Sequence, residues 1–394
     1  MTFVMLVSLI GAAQATQTDS MEPEVSVAAI SAAETEIFDA LSVYYNIGNI
    51  DSSIESLTIK ENAFSVTVRT CVDMVLLAET PEELPAIQGM LSAIKVETSD
   101  EVLHQVPNND INISQLSAAN PERSIDEVAI AAEFVNDEIE AVQQYIGKEQ
   151  FIQYYTKVSG VISNGTAVVT GLLAEDGAGG YCAMDAVLPE TPKKIFDNYE
   201  NLVWPTAEAK LVRTENAASL LASSKNYDVL AARDYARKWV YGFGQKKGEP
   251  TSMNCSVCGK SSANCSGYSV HNYYNTADYS VYDHNDCANF ASQALAAGGL
   301  PTDKTWKKDS TAWINARALE EYLLDKNYLV DDGYSTAAGG GLIFCKNSAG
   351  GNAYHVEVIV ANDTVTRQFC AHTHDRYNTS TANMKNWKYY NINY

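Results

Sequence analysis

Basic residues are scarce: 27 Lys and Arg stand against 49 Asp and Glu in 394 residues, a formal net charge of −22. A chain this poor in clustered cations excludes nucleic acid as a partner, because phosphate binding needs grouped Lys and Arg. Charged residues as a class are also few, at 19%, while 46% of the residues are hydrophobic. That balance excludes a disordered chain and implies a packed one. The apolar run at the N-terminus is too short to span a bilayer, and no other segment could cross a membrane. Repeated Gly-Ser and Pro linkers are missing as well, so domain boundaries must be read from composition.

At this length two domains are expected, since single cores seldom grow so large. The shortage of cations is local. Residues 1–222 hold 10 Lys and Arg against 33 Asp and Glu, and residues 223–394 hold 17 against 16. Four of the five Trp (Trp239, Trp306, Trp313 and Trp387) lie in the second part. The shift predicts an acidic α+β domain over 20–222 and a second domain over 223–394, joined near Ala222-Ser223-Ser224-Lys225. The first residues run Thr2 to Ala12 with little polarity and continue Ala13-Gln14-Ala15. This is the pattern of a secretory signal peptide over 1–15, which implies a secreted or cell-surface protein.

In the acidic part, Ile37, Leu41 and Tyr44 carry a short helical pattern. Phe64, Val66, Val68 and Val72 alternate with polar residues as in a strand. Ser124 with Glu127 forms a capping-box signature ahead of Val128, Ala132, Val135, Ile139, Val142 and Ile146 at helical spacing. Asn164-Gly165 predicts a hairpin within 154–172. No catalytic cluster is visible there, and His104 has no evident partner.

The second part opens with a helix from Tyr227 to Trp239. Asp286 reads as an N-cap and Gly298-Gly299 as a stop, which puts Cys287 in the first turn of a helix. A helix N-terminus favours the thiolate, the working form of a nucleophilic cysteine. In the strand from Tyr354 to Val360, His355, Glu357 and Ile359 share one face and Val356, Val358 and Val360 the other. A valine face packs into a core, leaving His355 free to act as base. His372 ends the following strand and is the candidate to orient His355, with Asp375 as the alternative.

Residues 227–394 resemble the bacterial "putative amidase domain" family, a branch of the papain-like, NlpC-type cysteine hydrolases. The resemblance rests on Tyr227-Asp228 with Ala231, Ala232, Tyr235 and Ala236. Its most specific stretch is Asp286-Cys287-x-Asn289-Phe290-x-Ser292-Gln293-Ala294-Leu295 with Gly298-Gly299. Trp306, Ser310, Trp313, His355-Val356 and His372-Thr373 follow in order. It implies a papain-like α+β domain with a helix-borne Cys and an antiparallel sheet. It also implies a Cys287 nucleophile, a His355 base, a His372 third member and no cofactor or metal. The substrate it implies is an amide in peptidoglycan or another peptide. The chain departs from the pattern at Gly341-Leu342, where related domains carry Gly-Asp, and in the Cys-rich stretch 255–271.

Cys255, Cys258, Cys265 and His271 have the residue types of a zinc site, although disulfides or free thiols suit an exported chain as well. Tyr273, Tyr274, Tyr279 and Tyr282 precede the nucleophile as packing residues, one of them a candidate for lining a cleft. Ser292 is expected to support the helix. An acyl transferase on the same scaffold and a non-enzymatic surface-binding protein are the alternatives.

Overall fold

The computed structural model describes residues 2–95, 113–217, 227–242, 273–282 and 285–394, the side chains of 2–20 and 213–217 excepted. His104, the junction at 222–225 and the Cys-rich stretch with Cys255, Cys258, Cys265 and His271 lie outside these residues.

The acidic part opens with helix α1 (Thr2–Leu41), whose first half contains the expected signal segment. Strands β1 (Tyr45–Lys60) and β2 (Ala63–Leu76) follow, then helices α2 (Pro85–Ala93), α3 (Ile113–Ala119) and α4 (Ile125–Gln143). Ser124 starts α4 with the expected capping box: its hydroxyl accepts from the Glu127 N–H, and Glu127 accepts from the Ser124 N–H at 2.8 Å. Strands β3 (Glu149–Ser163) and β4 (Thr166–Glu175) are joined at Asn164-Gly165, both at positive φ, as a tight hairpin requires. Strand β5 (Tyr181–Cys182) and helix α5 (Pro192–Ala217) complete this half.

The second half contributes α6 (Val229–Lys238), α7 (Cys287–Ala297), α8 (Thr311–Ile314), α9 (Ala316–Asp325), β6 (Leu329–Asp331) and α10 (Gly333–Thr336). Strands β7 (Leu342–Lys346), β8 (Ala353–Asn362), β9 (Arg367–Ala371), β10 (Arg376–Ser380) and β11 (Lys388–Ile392) end it. The result is a mixed α+β fold around an eleven-stranded sheet in the order β1-β2-β3-β10-β9-β8-β7-β11-β6, with β4 on β3 and β5 on β4. Pairing is antiparallel throughout except where β10 meets β3 at Thr379 and Gln153.

That parallel contact carries the sheet across the charge boundary, and the core crosses it too. Ile37, Met74, Ile87, Val135, Ile152 and Tyr199 share one buried cluster with Ile343, Cys345, Ile359, Phe369 and Trp387. The opposite face of β7–β9 presents Leu342, Phe344, Val356, Val358, Val360 and Cys370 to Phe290 and Leu295 of α7, together with Trp306, Trp313 and Leu319. The valine face of β8 therefore packs on α7. Helix α1 covers the far end, where Val25, Ala29 and Ala33 meet Phe64, Val66, Val68 and Val158. No helix among the described residues is long and apolar enough to cross a membrane.

Candidate active site

Cys287 is the first residue of α7 and is 7% exposed. The backbone N–H groups of Val356 and Ala288 and the Thr373 hydroxyl are the nearby groups that favour its anion. The sequence led us to expect a depressed thiol pKa; the structure gives a raised one. Burial raises it most, these three polar groups lower it, and neighbouring Asp286 raises it again. Removal from water penalises the anion more than the helix start repays, so the resting sulfur is a neutral thiol.

Asp286 does not cap α7 with its side chain. Its Oδ1 accepts from the Tyr282 N–H and from Asn289 Nδ2, each at 2.9 Å, and its Oδ2 lies 2.6 Å from His372 Nδ1. The other nitrogen of His372 lies 2.6 Å from the Trp239 carbonyl. The ring is stacked between Tyr274 at 3.7 Å and Phe290 at 4.0 Å. With both nitrogens taken, His372 ties the start of α7 to α6 and β9, and its hydrogen bonds do not reach His355. Asp375 accepts from the Tyr274 hydroxyl at 3.1 Å, so it too is bound to the stack. Of the other tyrosines, Tyr279 stacks on Trp313, Tyr273 meets Tyr241 with the rings tilted, and Tyr282 donates to Asp309. Ser292 accepts from Trp306 Nε1 and donates to the Trp313 carbonyl, supporting the helix as expected.

His355 sits elsewhere. It pairs across β7 with Cys345, and residues directly opposite share a sheet face. That face looks into the first core cluster, with Cys345 and Ile359, whereas Val356 looks toward Cys287. Its Nε2 is buried with no hydrogen-bond partner among the described residues and lies 3.9 Å from Glu357 Oε1. Burial, then His374 and Arg376, push its pKa down to about 3, so the imidazole is neutral. The structure thus brings Asp286, Cys287 and His372 together and leaves His355 on the other face. A register shift between the Cys345–His355 and Lys346–Ala353 pairs leaves Tyr354 as an extra residue immediately before His355. Bulges of this kind aim side chains.

Sequence reasoning passed over His374. In an extended chain residues 372 and 374 would share a side. Thr373 at φ 81° breaks the alternation, so that His372 meets α7 and His374 comes beside His355, ring centroids 6.1 Å apart. Thr373 and His374 line a cleft of about 280 Å³ whose other wall includes Glu55, Arg69, Tyr155 and Tyr181 of the acidic half. Arg69 pairs with Glu55 at 3.1 Å, and Arg376 with both oxygens of Glu175 at 2.6 Å. Among the described residues no three His, Cys, Asp or Glu converge as metal ligands would.

Compared with known proteins, the chain is 34% identical over 105 residues to the uncharacterised protein YjcM of Bacillus subtilis (strain 168), covering 22% of this chain and 26% of that one. It therefore spans about a quarter of that relative's length. No solved structure matches it. Residues 226–394 match the family model described as "putative amidase domain", which supports an amidase-like family for this part of the chain.

Proposed function

We propose that the protein hydrolyses an amide bond through Cys287, by way of an acyl-enzyme on a papain-like arrangement of helix and sheet. The observation that carries this is the setting of the sulfur: it begins a helix, and nearby backbone N–H groups of Ala288 and Val356 and the Thr373 hydroxyl favour its anion. Such donors suit a sulfur, or an oxygen beside it, that gains negative charge during reaction.

In this reading the S–H bond breaks as sulfur attacks the carbonyl, and the proton passes to a neutral imidazole. The C–N bond then breaks and the amine leaves with that proton. Water adds to the acyl carbon, and the thiol is restored. His355 is the base: its Nε2 is buried and unpartnered among the described residues, a condition polar groups seldom keep without a role. To reach the sulfur it must come to the face of Cys287. A slip of one residue at the Tyr354 bulge turns a side chain to the other face of the sheet, and this is the motion assigned to the start of β8. His372 serves as the brace that holds Asp286 and the helix start in place.

The substrate proposed is a peptide amide of peptidoglycan, and the protein is proposed to be exported, on the analogy of NlpC-type enzymes and the apolar N-terminal run. Purified peptidoglycan incubated with the full chain should gain free amino groups, and the Cys287→Ala variant should release none. Equal release by the variant would contradict the thiol chemistry.

A further inference from the structure

We propose that the turn between β8 and β9 carries a binding site for one small monovalent anion, a halide of chloride size, formed by the Arg367 guanidinium and the Thr364 hydroxyl against helix α5. None of its residues takes part in the acyl-enzyme chemistry, so the inference stands apart from that reading.

Arg367 opens β9 and is only 6% exposed. A guanidinium cannot shed its charge, and a buried charge is ordinarily met by one of opposite sign. Arg69 and Arg376 follow that rule, pairing with Glu55 and Glu175. Arg367 has no carboxylate partner among the described residues. Its Nη2 donates to the Tyr199 hydroxyl and the Ser335 carbonyl, each at 2.8 Å, and the group lies 4.2 Å over the Tyr334 ring. Its Nε is buried with no hydrogen-bond partner among the described residues. The acids that act on it at longer range do not complete the balance. Asp363 Oδ1 accepts from the Val365 and Thr366 N–H groups, and its Oδ2 from Tyr45 and Gln150. Glu138 has its pKa pushed up to about 7 by burial, against the pull of Arg367, so at neutral pH it is only partly charged. A positive charge is left in the interior.

Thr364 supplies the second observation. It is 2% exposed, its hydroxyl has no hydrogen-bond partner among the described residues, and its backbone stands at φ 73°. A β-branched residue in the left-handed region is strained, and such strain persists where a side chain must be placed. Thr364 and Arg367 line one cavity of about 20 Å³ together with Tyr199 and Tyr334. A water-sized particle needs about 10–15 Å³, so the cavity takes one, and a tetrahedral oxyanion is too large for it. Exposed Asn198 borders the cavity. Glu190 lines it too, but that carboxylate is held by Lys194 at 2.7 Å and Asn198 at 2.6 Å.

A single halide accepts from the Arg367 Nε–H and the Thr364 O–H and balances the buried charge. Water fills the same volume and leaves the charge unbalanced. Thr364 and Arg367 belong to the second half of the chain and Tyr199 to the acidic half, so the ion adds to the contact between them.

The test is thermal melting of the full chain in sodium gluconate, with chloride replacing gluconate at constant total salt. Ligand linkage predicts a melting temperature that climbs with the logarithm of chloride concentration once that exceeds the dissociation constant. Arg367→Gln should abolish the climb. Because that variant could fail to fold, Thr364 provides a second pair. Thr364→Gly relieves the left-handed strain, so it should melt near wild type in gluconate and yet lose the chloride climb. Thr364→Ser keeps the hydroxyl and should keep the climb. Equal melting temperatures in chloride and gluconate would overturn the proposal and leave the cavity to water. A climb that survives unchanged in Thr364→Gly would also overturn it, by placing the ion elsewhere.

Discussion

Asp286 Oδ2 and His372 Nδ1 lie 2.6 Å apart, each side chain about 1% exposed, and join the residue before Cys287 to the end of β9. The remaining Asp286 oxygen accepts two further hydrogen bonds, and the far nitrogen of His372 faces the Trp239 carbonyl. The pair is a built support for the helix start.

Removing one member of such a pair strands the other in the interior. His372→Ala should cost about 3–5 kcal/mol of stability, because the buried Asp286 carboxyl would lose its partner at Oδ2. Urea denaturation checks this; a midpoint within error of wild type would show that the pair braces nothing.

Glu357 is fully buried on β8, and burial, with Asp176 adding to it, raises its pKa well above the usual carboxylate value. A carboxyl whose folded pKa exceeds its unfolded one stabilises the fold below the unfolded value and loses that contribution as pH rises through the folded value. Glu357→Gln should therefore resemble wild type near pH 4 and become the more stable protein as pH climbs above about 5. Melting temperatures across pH 4–8 provide the measurement, and a gap that stays constant would refute the sign.

His355 gives an opposite sign and a kinetic consequence. Its pKa is lowered to about 3, so the proton-accepting form persists as pH falls until about that value. The acylation rate at subsaturating p-nitrophenyl acetate, which reports the resting enzyme before His355 moves, should show no acid limb near the ordinary histidine value of about 6.5. A limb there would mean that the working base is a solvated imidazole.

The sheet and core run across the charge boundary, which bears on where the chain can be cut. A fragment beginning at Tyr227 leaves Ile343, Cys345, Ile359, Phe369 and Trp387 without the acidic-half side chains that cover them. Each such exposure costs about 1.5–3 kcal/mol. The fragment should be insoluble or unfold without cooperativity; a soluble fragment with a sharp thermal transition would show that the second half folds alone.

Much of the local structure was legible. Ser124 with Glu127, Asn164-Gly165 and Gly298-Gly299 act through backbone geometry within a few residues, and each marks the element it announces. Alternation along β8 correctly separated its two faces. It did not say which face would meet α7, because that depends on a long-range contact and on a one-residue bulge at Tyr354. The thiol of Cys287 was misjudged for a similar reason. The helix start is local and visible, but the burial that raises the pKa comes from distant elements. The place of His374 beside His355 was invisible, since only the left-handed Thr373 carries it to the side away from His372. Nor does charge reveal that β3 pairs with β10, because a sheet edge is chosen by register and burial rather than by net charge.

The most direct test of the central claim is to find where an acyl group lands. The full chain is mixed with p-nitrophenyl acetate, quenched in acid within the burst and digested for peptide mapping by mass spectrometry. The account predicts one acetyl per chain on the peptide that carries Cys287, absent in Cys287→Ala. An acetyl found only on other residues, with the Cys287 peptide unmodified, would contradict it.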